Sequence, residues 1–112
     1  MKETNILIKV GLDENNTPDS ITWQADDNPN GPGVQDCKAF LLSLFDGQSH
    51  DTLKIDLWTK EMQVVEMDRL VFQTLRGLAD TYFRATKNAE LANEMQRFTH
   101  YFGEKTGIIP KE

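Results

Sequence analysis

The stretch QDCKAFLLSLFDG, Gln35–Gly47, decides the order of elements along this chain. Its apolar residues Cys37, Phe40, Leu41, Leu44 and Phe45 recur at the spacing of one helical face, and Gly47 supplies a C-terminal stop, so the pattern predicts a helix. Directly after it, DTLKIDLWT (Asp51–Thr59) changes to period two. Leu53, Ile55 and Leu57 then point to one side and Lys54, Asp56 and Trp58 to the other, as in a strand with a core face.

Working outward toward the N-terminus, NILIKVGL places Ile6, Ile8, Val10 and Leu12 on one side and Lys9 and Gly11 on the other. SITWQAD repeats the alternation through Ile21, Trp23 and Ala25. Between the two lies DENNTPDS, whose Asp, Asn, Pro and Ser favour a turn, so an antiparallel hairpin with a long loop is expected. DDNPNGPG, Asp26–Gly33, reads as a surface loop.

Toward the C-terminus, Val64–Thr86 reads as one long helix. Met67, Leu70, Val71, Thr74, Leu75, Leu78 and Tyr82 form its stripe, Phe72, Ala79 and Phe83 widen it, and Arg76, Asp80 and Arg84 line the polar side. Asn88 is the expected N-cap of a last helix carrying Leu91, Met95, Phe98 and Phe102, which Gly103 and Gly107 should end. Ile108 and Ile109 are expected to fold back onto the body. The predicted fold is a single α+β domain over residues 1–112: a small, mostly antiparallel three-stranded sheet with helices packed on one face, in the order β-β-α-β-α-α.

Composition narrows the function classes. A 112-residue chain with 38% hydrophobic and 27% charged residues suits one globular domain. A formal net charge of -6 repels phosphate backbones and anionic lipid, so neither nucleic acid nor a membrane surface is expected as a partner. No stretch approaches the length of a bilayer span, and the N-terminal residues lack the apolar region of a signal peptide. With Cys37 as the only cysteine, no internal disulfide can form, which fits a reducing compartment, and a cytoplasmic location is expected.

Catalytic and metal patterns are weak. His50 and His100 fall in different elements without a second ligand at helical spacing, and Cys37 reads better as a buried thiol than as a nucleophile. Asp13, Asn15 and Thr17 have the spacing of calcium ligands, but Pro18 stands where such a loop needs Gly, and no Glu closes it. NPNGPG lacks the residues of a phosphate cradle. No cofactor, metal or catalytic set is assigned, and an enzyme is not expected.

The unusual feature is Trp58 on the polar side of its strand, beside Lys54 and Asp56. An exposed Trp brings large apolar area with a polar handle to an interface, although single exposed apolar residues are also common. Together with Thr22 and Gln24 of the second strand, these residues form the candidate partner-binding face. The alternative is a small-molecule-binding protein or enzyme with a pocket between sheet and helices near Cys37, His50 and Asp51. A homodimer through the exposed sheet face or a sheet edge is a third reading.

IKVGLDENN, the Trp23 and ADD segment, CKAFLLSLFDG, LKIDLWTKEM and FQTLRGLADTYFRAT, in this order over most of the chain, resemble the GldC family of gliding-motility proteins of Bacteroidetes. The resemblance implies a small cytoplasmic protein that supports gliding, with protein partners in the machinery that also underlies adhesin movement and secretion. It carries no active-site residues over to this chain. Gln63 departs from the family's pattern, in which Pro often follows the Met, and the effect is expected only at the start of the long helix.

Overall fold

The computed structural model describes residues 1–110. In chain order the elements are β1 (Ile6–Leu12), β2 (Pro18–Ala25), β3 (Gln35–Cys37), β4 (Ala39–Phe45), β5 (Thr52–Trp58), α1 (Val64–Thr86) and α2 (Ala89–Lys105). The class is α+β, as the sequence predicts. All strands belong to one unit, Met1–Met62, and both helices to a second that begins at Gln63.

β1 and β2 pair antiparallel, with Ile6, Ile8 and Val10 opposite Ala25, Trp23 and Ile21. Opposed residues share a face, so the expected apolar side forms. Its centre is Ile21, only 1% exposed. The connecting loop is organised by Asp13, whose carboxylate accepts from the backbone N–H groups of Asn15 and Thr17 at 2.8 and 3.0 Å. The Lys60 ammonium adds a contact at 3.2 Å to Asp13 and lies 3.6 Å from Asp19. Those two backbone donors, then Lys60, hold the Asp13 carboxyl below its usual range.

The expected helix over Cys37–Phe45 is the main correction. β3 adds to the edge of β2, with Cys37 opposite Ile21 and Gln35 opposite Trp23, and after Lys38 the chain continues as β4. β4 pairs antiparallel with β5 in a separate two-stranded sheet. A short run that is apolar on both strand faces also satisfies helical spacing, so periodicity cannot separate the two. The ladder to Thr52–Trp58 settles it, because a nine-residue helix is marginal by itself and a paired strand satisfies its backbone at once. The single three-stranded sheet thus becomes a three-stranded and a two-stranded one. The third strand expected from DTLKIDLWT is present as β5 but pairs with β4 rather than with the first hairpin.

In the helical unit, α1 has the predicted bounds. The Gln63 backbone N–H donates to the Glu66 carboxylate at 3.0 Å, a bond that a proline at 63 could not make. Asp80 pairs with Arg84 at 2.9 Å, whereas the Arg76 guanidinium lies over the Phe72 ring, 5.2 Å from its centroid. Lys87 closes the helix in the left-handed region, and its N–H donates to the Phe83 carbonyl. The Asn88 side chain caps α2 by accepting from the Leu91 N–H at 3.1 Å.

The buried residues of α2 are Ala92, Thr99 and Gly103, while Leu91 and Phe98 are exposed. Small side chains let α2 approach α1, where Phe72 and Ala79 are buried. Gly103 therefore does not end the helix as expected. A Cβ at position 103 would stand 2.6 Å from Ile109 Cδ1 and 2.7 Å from Phe72 Cε1, so its lack of a side chain is what the seam uses. Ile108 and Ile109 fold back, with the Ile109 N–H donating to the Gly103 carbonyl at 2.9 Å.

Candidate interaction surface

The β4–β5 register places Ala39, Leu41, Ser43 and Phe45 opposite Trp58, Asp56, Lys54 and Thr52 on one face. The other face holds Phe40, Leu42 and Leu44 opposite Leu57, Ile55 and Leu53, without a charged group. A strand ribbon normally buries one face and wets the other. This one is apolar on one face and mixed on the second, and each keeps exposed apolar residues.

On the mixed face Trp58 is 51% exposed and Phe45 69% exposed. Between them Lys54 and Asp56 form an ion pair at 2.8 Å. The Lys54 hydrogen bond and charge hold the Asp56 carboxyl below its usual range. The pair largely satisfies its own charges.

On the uncharged face, Leu53, Ile55 and Leu57 are not the buried set that alternation predicts. Leu53 is 59% and Ile55 38% exposed, and Leu57 is half-buried. Alternation shows only that a strand has an apolar side, and burial needs a second layer to cover it.

The hairpin is closed by a built loop. The Asp46 carboxylate accepts from the N–H groups of Ser49 at 2.7 Å and Gln48 at 3.0 Å, which holds its pKa below the usual carboxylate value. His50 adopts φ 62°, and its ring stacks on Phe45 at 5.9 Å between centroids. His50 thus serves the turn.

Of the candidate residues, the structure brings Lys54, Asp56 and Trp58 together on β5. Thr22 and Gln24 lie on β2, which pairs with β1 and β3, and there they line a shallow recess with Leu7, Lys9, Trp23 and Val34. Leu41 and Phe45 join the Trp58 face instead. Helical spacing fits their segment equally well and hides them from a sequence reading, although period-two numbering of the same residues puts them opposite Asp56 and Thr52.

Cys37 lines a groove of about 250 Å³ with Ile6, Ile8, Trp23, Ala39 and Phe40. His50 and Asp51 lie past the opposite end of β4, about 20 Å away at strand rise, so the three do not converge. In the helical unit, Leu75, Tyr82, Leu91, Met95 and Phe98 line an apolar groove of about 500 Å³. Its Thr99 hydroxyl is occupied by the Met95 carbonyl at 2.8 Å. Among the described residues no three metal-ligating side chains cluster, and no helix is long and apolar enough to cross a membrane.

A family model described as "Gliding motility-associated protein GldC-like" matches residues 18–108, from the start of β2 to beyond the end of α2. No curated protein and no solved structure matches the chain.

Proposed function

The chain belongs to the GldC-like family of gliding motility-associated proteins, and from that premise we propose that it serves gliding as a non-catalytic interaction module in the cytoplasm. Its β4–β5 hairpin docks a protein of the gliding machinery through the face of Leu41, Phe45 and Trp58, with Lys54 and Asp56 setting orientation. The observation that carries this reading is the exposure of Trp58 and Phe45 on one strand face. Large aromatics dominate interface energetics when a partner desolvates them, and they gain nothing comparable in water. The net charge of -6 directs the choice away from lipid and nucleic acid and toward protein.

The experiment is genetic. In a gliding bacterium whose native copy is replaced by Trp58→Ala, the variant should accumulate to the normal level, keep a cooperative thermal transition and impair colony spreading. Normal spreading at normal abundance would refute the assignment of this face.

A further inference from the structure

The loop between β2 and β3 holds a pair that the interaction surface does not use, Asn30–Gly31. We propose that Asn30 is a site of spontaneous covalent modification, at which the Gly31 nitrogen closes a ring on the side-chain amide and the surrounding turn sets the rate. The Asn30 side chain is exposed and takes part in no hydrogen bond among the described residues. Gly31 has φ 103° and open space where a side chain would stand, so nothing crowds the approach to its nitrogen. Asn5, Asn15, Asn16, Asn88 and Asn93 are each followed by a residue with a Cβ, which does crowd it. Asn28 precedes Pro29, whose nitrogen has no proton to lose. Asp46 precedes Gly47, but its carboxylate is occupied by the N–H groups of Ser49 and Gln48.

The chemistry needs only water and hydroxide. The Gly31 N–H gives its proton to hydroxide, the nitrogen bonds to Asn30 Cγ, the Cγ–Nδ2 bond breaks, and ammonia leaves with a proton taken from water. Water then opens the resulting cyclic imide at Cγ to give aspartate, or at the main-chain carbonyl to give isoaspartate, whose chain continues through Cγ. The net change is water in and ammonia out. The turn opposes the first step. The Gly31 N–H donates to the Asn28 carbonyl at 2.9 Å, and the Asn30 N–H donates to Asn28 Oδ1 at 3.1 Å. These bonds hold the proton and the peptide plane that ring closure must release, so the reaction proceeds from the opened loop and its rate reads that opening. The product adds a negative charge to a chain of net charge -6, in a loop that already holds Asp26 and Asp27. Isoaspartate also lengthens the main chain next to Pro29, which with Ile6, Trp23 and Asn28 lines a recess of about 340 Å³. Modification therefore changes both the charge and the outline of that recess.

Peptide mapping by mass spectrometry, on the purified full chain incubated at mildly alkaline pH, tests this without any partner. Asn30 should gain about 1 Da ahead of every other asparagine, with isoaspartate as well as aspartate in the product. In the same chain unfolded by guanidinium chloride at equal pH, the site should react about tenfold to a hundredfold faster, because no turn remains to open. Asn28→Ala removes the Oδ1 acceptor and keeps the Asn30–Gly31 pair. It should speed the reaction of the folded protein about threefold to tenfold and leave the far-ultraviolet circular dichroism unchanged. Another asparagine reacting first in the folded protein would overturn the site. Equal rates in the folded and unfolded chain, or an Asn28→Ala variant no faster than wild type, would overturn control by the turn.

Discussion

Trp23 and Trp58 each sit in an antiparallel hairpin of the same unit, and their surroundings differ. Trp23 is half-buried on an apolar face that has Ile21 at its centre and a third strand, β3, beside it, while the opposite face of that hairpin carries Lys9, Thr22 and Gln24. Trp58 is exposed on a ribbon of only two strands whose other face is wholly apolar. Both loops are built alike, on an aspartate that accepts two backbone N–H groups, Asp13 in one and Asp46 in the other. The first hairpin buries Ile21 and half-buries Ile8, Val10 and Trp23, although Ile6 and Leu12 stay exposed, whereas the second buries none of its apolar residues fully. The second leaves them accessible, and that surplus is what a binding element requires.

The sharpest way to break this contrast is to delete the same atoms from each hairpin. Ile21→Ala should cost about 2–5 kcal/mol, because the side chain is fully buried and leaves a cavity. Ile55→Ala should cost less than about 1 kcal/mol in the monomer, since water already reaches it. Chemical denaturation under monomeric conditions reads both, and equal losses would show that the second hairpin is core as well.

Next in size is Gly103→Ala in the helical unit, which serves as a reference for tight packing. A methyl group there meets Phe72 and Ile109, and overpacking of about 1–3 kcal/mol should outweigh the ~1 kcal/mol gained in helix propensity. The thermal midpoint of α1–α2 should fall, and a rise would mean that the seam is loose.

Smaller again is the acid response of the two loops. The folded pKa values of Asp13 and Asp46 lie below the usual 3.8, so the unfolded chain binds protons first on acidification. Their contribution is complete above the unfolded value and disappears as pH falls through the depressed ones. Asp46→Asn should therefore flatten the loss of stability below about pH 4, and Asp13→Asn should do the same for the first loop. A denaturation midpoint with unchanged pH dependence in both variants would contradict the hydrogen-bonded loops. The smallest effect on stability belongs to Trp58→Ala, within about 0.5 kcal/mol, as befits a side chain with little to lose in the folded monomer.

Where one physical signal was long or unopposed, the fold was legible in the sequence. Val64–Thr86 carries a broad stripe over 23 residues, Asn88 is a strong cap, and Ile8, Val10 and Leu12 alternate with Lys9 and Gly11. Gln35–Phe45 was not legible, because Phe40, Leu41, Leu44 and Phe45 meet helical spacing while Leu42 also completes a two-faced strand. Only pairing with β5, a non-local event, selects between them. Gly103 misled for a related reason. Glycine ends helices by taking positive φ, yet here it is kept for the space it leaves beside Phe72. For the candidate surface, alternation located Lys54, Asp56 and Trp58, but the neighbours Leu41 and Phe45 depend on cross-strand register, which no local pattern supplies.

The exposed face of the second hairpin is tested most directly by cross-linked capture from a gliding bacterium, with wild type and Trp58→Ala at equal abundance. Wild type should retain one or more components of the gliding machinery that the variant loses. The same proteins captured in equal amounts by both would contradict the account.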